Sequence, residues 1–159
     1  MQIDDILLKA RDFSQETLTA QNIVLHLDFQ SKRLIKVHEN EILQTMLNII
    51  HNAKDQLIYK NTISPMIKLK SYDEDDCTIV EISDNAGGID EKIISKVFDP
   101  YFSTKLSQNG TGLGLYMAKT IIENYHNGSV SVANYTDENG EVGAIFRVRI
   151  KQEKVNVKS

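Results

Sequence analysis

Near the start of the chain Ile3, Ile6, Leu7, Ala10 and Phe13 recur at three- and four-residue steps, the spacing that lines up side chains on one face of an α-helix. This stripe predicts an amphipathic first helix whose apolar face enters the core, the commoner fate, or meets a partner helix. Two short β-rich runs follow, IVLHLDF at 23–29 and RLIKV at 33–37, separated by Gln30, Ser31 and Lys32; they predict a hairpin. Residues 39–57 place Ile42, Leu43, Met46, Leu47, Ile49, Ile50 and Ala53 at helical steps with no Gly or Pro between them, a long second helix. PMIKLKSY at 65–72 and CTIVEIS at 77–83 then flank Asp73, Glu74, Asp75 and Asp76. These predict a second hairpin whose acidic turn faces solvent, with a cation site as the alternative. From 84 to 114 the chain holds five of its eight glycines and one of its two prolines, the signature of a loop system with short helical pieces. Helical spacing resumes over 113–126 through Leu115, Ala118, Ile121 and Ile122, and Gly128 is expected to stop it. SVSVANY and GAIFRVRI, joined through DENG, read as a final hairpin in which Asn139 and Gly140 suit a tight turn.

Composition narrows the class. A length of 159 residues fits one domain, expected over 1–150 with a polar tail at 151–159, large enough to bury about two-thirds of its unfolded surface. The chain is 41% hydrophobic and 25% charged with a formal charge of −4, which argues for an ordinary globular domain and against a nucleic-acid footprint. Cys77 is the only cysteine, so no intramolecular disulfide forms, and the paired Cys and His spacings of zinc sites are absent. Acids near the N-terminus argue against a signal peptide, and no stretch approaches the roughly 20 apolar residues that span a bilayer. A cytoplasmic location without direct membrane contact is expected, although the chain can be part of a membrane-anchored parent.

Four segments carry chemistry: NIIHNAKD from Asn48, DNAGGI from Asp84, FDPYFSTK from Phe98 and GTGLGL from Gly110. Asn48 and Asn52 lie four apart and project from one face of a helix. Their amides offer neutral hard oxygens, suited to a Mg²⁺ ion held mainly by phosphates and water, or alternatively to hydrogen bonds within the protein. Asp84 ends an alternating strand, where a carboxylate can accept a hydrogen bond from the exocyclic amine of adenine and repel the acceptor that guanine presents. Gly87 and Gly88 permit close backbone approach there, although Asp, Asn and Gly are also common turn residues. GTGLGL opens a helix, so the amides around Gly112 to Leu115 can face phosphate with the helix dipole behind them. It matches neither the dinucleotide fingerprint nor the P-loop.

In this order the four segments closely resemble the N, G1, F and G2 boxes of the GHKL ATPase superfamily, above all the catalytic ATP-binding domain of bacterial sensor histidine kinases, with a nitrogen-sensor-like flavour in NAKD and FDPYFSTK. The resemblance implies an α+β fold, a two-layer α/β sandwich with helices covering one face of a mixed sheet, and a flexible lid over about 90–111. It implies ATP and Mg²⁺ as ligands: Asn52 on the metal, Asn48 supporting the metal and phosphates, Asp84 on adenine, and Gly88 and Ile89 shaping the base pocket. Gly110, Thr111, Gly112, Leu113 and Gly114 would surround the phosphates. Phe98, Tyr101 and Phe102 would anchor the lid, and Lys105 would reach the γ-phosphate or stay solvated.

Hydrolytic members of the superfamily, such as gyrase and mismatch-repair ATPases, and the anti-sigma-factor kinases are similar to one another in carrying a Glu base where this chain has Asn48. An amide cannot take up a proton as a carboxylate does, which favours phosphoryl transfer to a His on a separate dimerisation domain, with a response regulator downstream. Asp55 and Gln56 stand where many members have a basic and an aromatic residue, which weakens any carry-over of a second phosphate-binding cation. None of His26, His38, His51 and His126 suits a phosphoacceptor. An anti-sigma-factor-like serine kinase and a nucleotide-sensing module without transfer remain the alternatives.

Overall fold

The computed structural model describes residues 1–102 and 113–152. Helix α1 spans Ile3–Ala20, strand β1 Val24–Phe29, helix α2 Glu39–Tyr59, strands β2 Met66–Glu74 and β3 Cys77–Asp84, helix α3 Gly114–Tyr125, and strands β4 Gly128–Thr136 and β5 Val142–Lys151, with a 3-10 turn at Ile94–Lys96. The five strands form one mixed sheet in the order β1-β2-β3-β5-β4, in which only the β1–β2 pair is parallel.

Period-2 alternation decides the sheet's two faces. Ile67, Leu69 and Ser71 of β2 are buried while their neighbours are half-buried, and they pair across with Asp84, Ile82 and Val80 of β3. The helices cover this face, joining Ile6 and Leu7 of α1, Met46 and Ile49 of α2, and Ile122 of α3 to Phe146 and Val148 of β5 in one core. The other face is roofed by long side chains instead. Arg147 Nε donates to Glu81 Oε2 at 2.7 Å and Tyr72 Oη donates to the same oxygen at 3.0 Å, so that β3 is buried along its whole length. Among the described residues no helix is long and apolar enough to cross a membrane.

Several sequence expectations need correction. Residues 23–29 and 33–37 do not form a hairpin. β1 pairs instead with β2, Leu27 opposite Leu69, and the segment after it makes a single bridge, Leu34 to Gln2. The reason is an anchor outside the segment: Asp73 accepts from Ser31 Oγ at 2.7 Å, Lys32 N at 2.9 Å and Arg33 N at 3.1 Å, drawing this stretch across the sheet edge. The acidic turn is thus not merely a solvated run. Burial would raise the Asp73 carboxyl, but these donors and the nearby Arg33 charge outweigh it and hold it below the ordinary range. Phe13 is exposed, because the buried stripe of α1 continues to Leu18 and leaves position 13 on its flank. Helix α3 ends at His126 with Asn127 in the left-handed region, and Gly128 already belongs to β4.

Candidate functional site

Helix α2 brings Asn48 to the N-terminus of α3. Asn48 Nδ2 donates to the carbonyl of Gly114 at 3.2 Å, while its Oδ1 accepts from Gln44 at 2.8 Å. Asn52, one turn further along, is half-buried, and its amide has no hydrogen-bond partner among the described residues. This is the chemistry a hard cation needs: a neutral oxygen held on a rigid element and free to be shared. Among the described residues no group of three His, Cys, Asp or Glu could hold a metal alone, so phosphate oxygens would have to supply most of the ligands.

The C-terminal end of β3 delivers Asp84, only 3% exposed. Its Oδ1 accepts from the backbone N–H of Ala86 at 3.0 Å and of Ala144 at 3.4 Å, and Oδ2 accepts from no described residue. Burial pushes this carboxyl up, against the two N–H donors and the charge of Lys60. A buried carboxylate with one oxygen tied to backbone and the other open is an acceptor fixed in direction, as recognition of an amine requires.

The loop after Asp84 is held from three sides. Gly87 N donates to the Val142 carbonyl at 2.9 Å. Asn134 of β4 grips Ile89 at both backbone groups, accepting from its N–H and donating to its C=O, each at 2.7 Å. Lys60, the residue that ends α2, donates to the Gly88 carbonyl at 2.6 Å. Gly88 lies at φ +84°, and a Cβ there would stand 2.9 Å from Asn134 Oδ1, so both conformation and space demand glycine. Gly143 is as constrained: a Cβ would fall 1.7 Å from the Asp84 carbonyl oxygen, letting β5 press against the residue that carries the carboxylate, whose carbonyl also accepts from Tyr135 Oη at 3.0 Å.

Of the residues expected to matter, the structure brings Asn48 and Gly114 together at the α2–α3 contact, with Asn52 one turn further along α2, and sets Asp84, Gly88 and Ile89 at and just after the end of β3. Leu113 precedes α3 as its cap. Phe98 is half-buried, edge-on to the core Phe146 at 6.0 Å and beneath Lys119 Nζ at 5.1 Å; Phe102 is half-buried too. Tyr101 is 76% exposed with φ +64°. Lys105, Gly110, Thr111 and Gly112 lie outside the described residues. Asn134, Lys60 and Gly143 are additions that the motifs did not point to. Asn134 carried a signal, since alternation along β4 puts a polar amide on the inner face of Val130 and Val132.

This arrangement agrees with sequence comparison. Residues 37–154 match the model of the histidine kinase-, DNA gyrase B- and HSP90-like ATPase family. The chain belongs to that family. The two-component sensor PprA of Pseudomonas aeruginosa is 30% identical over 122 residues, 75% of this chain and 13% of that protein. The signal transduction histidine-protein kinase AtoS of Escherichia coli is 40% identical over 97 residues, 60% of this chain and 15% of its own length. The chain therefore spans only a small part of these relatives. Among solved structures, the catalytic domain of histidine kinase ThkA superposes with a TM-score of 0.79 at 26% identity, covering 96% of this chain and 93% of that one. The shared α+β sandwich is the fold of this ATPase family.

Proposed function

We propose that this chain is the ATP-binding catalytic domain of a sensor histidine kinase, donating the γ-phosphoryl of ATP to a His on a separate phosphotransfer domain, from which a response regulator receives it. The observation that supports this reading is the buried carboxylate of Asp84 at the end of β3, one oxygen held by two backbone N–H groups, together with Asn48 of α2 bonded to the first residue of α3. Asp84 offers an open carboxylate oxygen for the adenine amine, and α2 sets Asn48 against the start of α3, with Asn52, whose amide has no partner among the described residues, one turn further along the same helix. Mg²⁺ fits this donor set; bound with the triphosphate, it would neutralise charge that develops during transfer. Asn52 would supply its protein oxygen. Asn48 holds the Gly114 carbonyl, so the first amides of α3 keep their direction toward phosphate. Gly110, Thr111, Gly112 and Lys105 complete the phosphate end in this proposal, and Phe98 roots the lid that begins near residue 90.

Asn48 also bears on the type of chemistry. Its amide is tied at both ends and cannot take up a proton as a carboxylate does, so activation of water or of a serine hydroxyl from that position is disfavoured. Transfer to an imidazole, which is already nucleophilic, needs no such base. The test is direct: the chain is incubated with labelled ATP, Mg²⁺ and a His-bearing phosphotransfer domain from a sensor kinase of its own organism. Acid-labile, base-stable phosphate on that domain supports the proposal. Acid-stable phosphate on serine, or steady release of inorganic phosphate without transfer, would favour a serine kinase or an ATPase instead.

A further inference from the structure

Lys60 does something that neither the motifs nor the family comparison assigns. It ends α2, and its Nζ reaches over to the Gly88 carbonyl at 2.6 Å and stands 4.0 Å from where a Cβ on Gly87 would be. Gly87 and Gly88 both have φ near +85°, at +89° and +84°. The loop between Asp84 and Ile89 therefore carries little intrinsic conformational preference and must be held by its partners. Val142 holds the amide of Gly87 and Asn134 holds Ile89, but both come from the β4–β5 side. On the α2 side, Asn85 of the loop accepts from Met66 N at 2.8 Å and donates to the Ser64 carbonyl at 3.0 Å, and the tie to the glycine pair itself among the described residues is Lys60.

We propose that Lys60 is a positioning residue for base recognition: its ammonium locks the Gly87–Gly88 turn, and with it the loop that follows Asp84, to the end of α2. This rests on the ATP-binding reading above. Two effects combine. The hydrogen bond fixes the loop that walls the base pocket on its helix side, and α2 carries Asn52 on the same rigid rod, so the adenine and phosphate ends keep a constant separation. The positive charge also acts on Asp84, offsetting the burial that pushes its carboxyl up. The other groups around Asp84 do not replace it. Tyr135 on β4 donates to the Asp84 backbone carbonyl rather than to its carboxylate. Asp137 and Glu141, on the β4–β5 turn, are negative and act on that phenol, and β5 contributes only the Ala144 N–H.

The experiment compares the full chain with Lys60→Gln and Lys60→Arg. ATP affinity is measured by calorimetry between pH 5 and 8, with circular dichroism to establish that each variant is folded, and amide exchange is followed in the nucleotide-free protein. In K60Q we expect roughly three- to tenfold weaker ATP binding near neutral pH, the loss of a charge-assisted hydrogen bond at a partly exposed site. Acid loss of affinity should set in at a higher pH than in the wild type, with faster exchange at the Gly87 and Ile89 amides. K60R, which keeps the charge, should restore the pH profile and most of the affinity. If K60Q binds ATP as the wild type does with the same pH profile, the inference is overturned while the ATP reading stands. If K60Q and K60R lose affinity alike with no shift in pH profile, Lys60 is only structural and the inference again falls. Should the wild type fail to bind ATP at all, the nucleotide reading fails and takes this one with it.

Discussion

Replacing Asp84 by asparagine isolates the base-recognition step from the fold. The side chain is isosteric, and Oδ1 already accepts from the N–H groups of Ala86 at 3.0 Å and Ala144 at 3.4 Å. These two donors force the amide oxygen of the variant into the Oδ1 position, because an NH₂ there would face two other donors. The amide nitrogen must then occupy the place of Oδ2 and point at the base. An acceptor becomes a donor, and the exocyclic amine of adenine meets a second donor instead of a carboxylate. The lost charge-assisted hydrogen bond is worth about 1.5–3 kcal/mol, so ATP affinity should fall roughly 10- to 150-fold. GTP, whose base presents an acceptor at that position, should suffer less and can gain.

Stability should move the other way. The carboxyl pKa is raised by burial above its ordinary value of 3.8, against the Ala86 and Ala144 donors and the Lys60 charge. A raised acid binds its proton more readily in the folded state, so this group lowers stability at neutral pH and contributes more favourably as pH falls through its native pKa. Asp84→Asn removes that buried charge, and the variant should melt no lower than the wild type at pH 7. In the wild type, acidification through the same range should weaken ATP binding while relieving the penalty from this group. Calorimetry with ATP and GTP, and thermal melts from pH 5 to 8, measure both. An Asp84→Asn protein that is folded and binds ATP within twofold of the wild type would refute this account of the carboxylate.

Other perturbations test different contacts. Asn52→Ala should leave the melting temperature within about 1 °C, because the half-buried amide has no hydrogen-bond partner among the described residues, yet abolish the gain in ATP affinity on adding Mg²⁺; a titration with and without EDTA checks this. Gly143→Ala must displace either β3 or β5, since the new Cβ would fall 1.7 Å from the Asp84 carbonyl oxygen. A cost of about 3 kcal/mol is expected, seen as a drop of roughly 6–12 °C in melting temperature together with weakened ATP binding. Asp73→Ala should cost about 1–2 kcal/mol by freeing the Ser31–Arg33 loop. Because the Asp73 carboxyl is held below its ordinary value, its stabilising contribution is present above pH 3.8 and is lost as pH falls through the depressed pKa; urea melts at pH 7 and at pH 3 should show the wild type and variant converging.

What could be read from the sequence was whatever a short stretch decides for itself. The β2–β3 and β4–β5 hairpins join neighbours through tight turns, and α2 runs from Glu39 to Tyr59 on its own periodicity. Asp84 with Gly87 and Gly88 was legible because the carboxylate and the glycines that let the backbone bend around a ligand are consecutive. The parallel β1–β2 pair was not, because it depends on α2 crossing over the sheet, and β1 offered an equally good local partner in residues 33–37 until Asp73 claimed the intervening loop. Gly143 read as an ordinary strand start, though a glycine at such a position signals another backbone close by. Lys60 left no trace at all, since one lysine at a helix end is indistinguishable from any solvated cation until the loop it touches is known.

The site's precision depends on two ties between α2 and α3 that lie far apart. Asn48 holds the first residue of α3 through the Gly114 carbonyl. Near the start of α2, Glu41 meets His126, the cap at the end of α3, at 2.9 Å, and that imidazole is buried edge-on to His38 at 5.5 Å. The helices run antiparallel, so one tie sits at each end of α3, and neither alone fixes the angle of the helix. Ala118 and Ile122 seat α3 in the core, and the two polar ties add direction at its ends, Asn48 at the N-terminus and His126 at the C-terminus. Both are needed for the amides at the head of α3 to keep one direction relative to Asn52. A dipole contributes to phosphate binding only over its first turn, so a few degrees of pivot there costs more than the same movement elsewhere. The His126–Glu41 pair, a buried imidazole meeting a largely exposed carboxylate at the far end of α3, is therefore part of how the phosphate end is aimed.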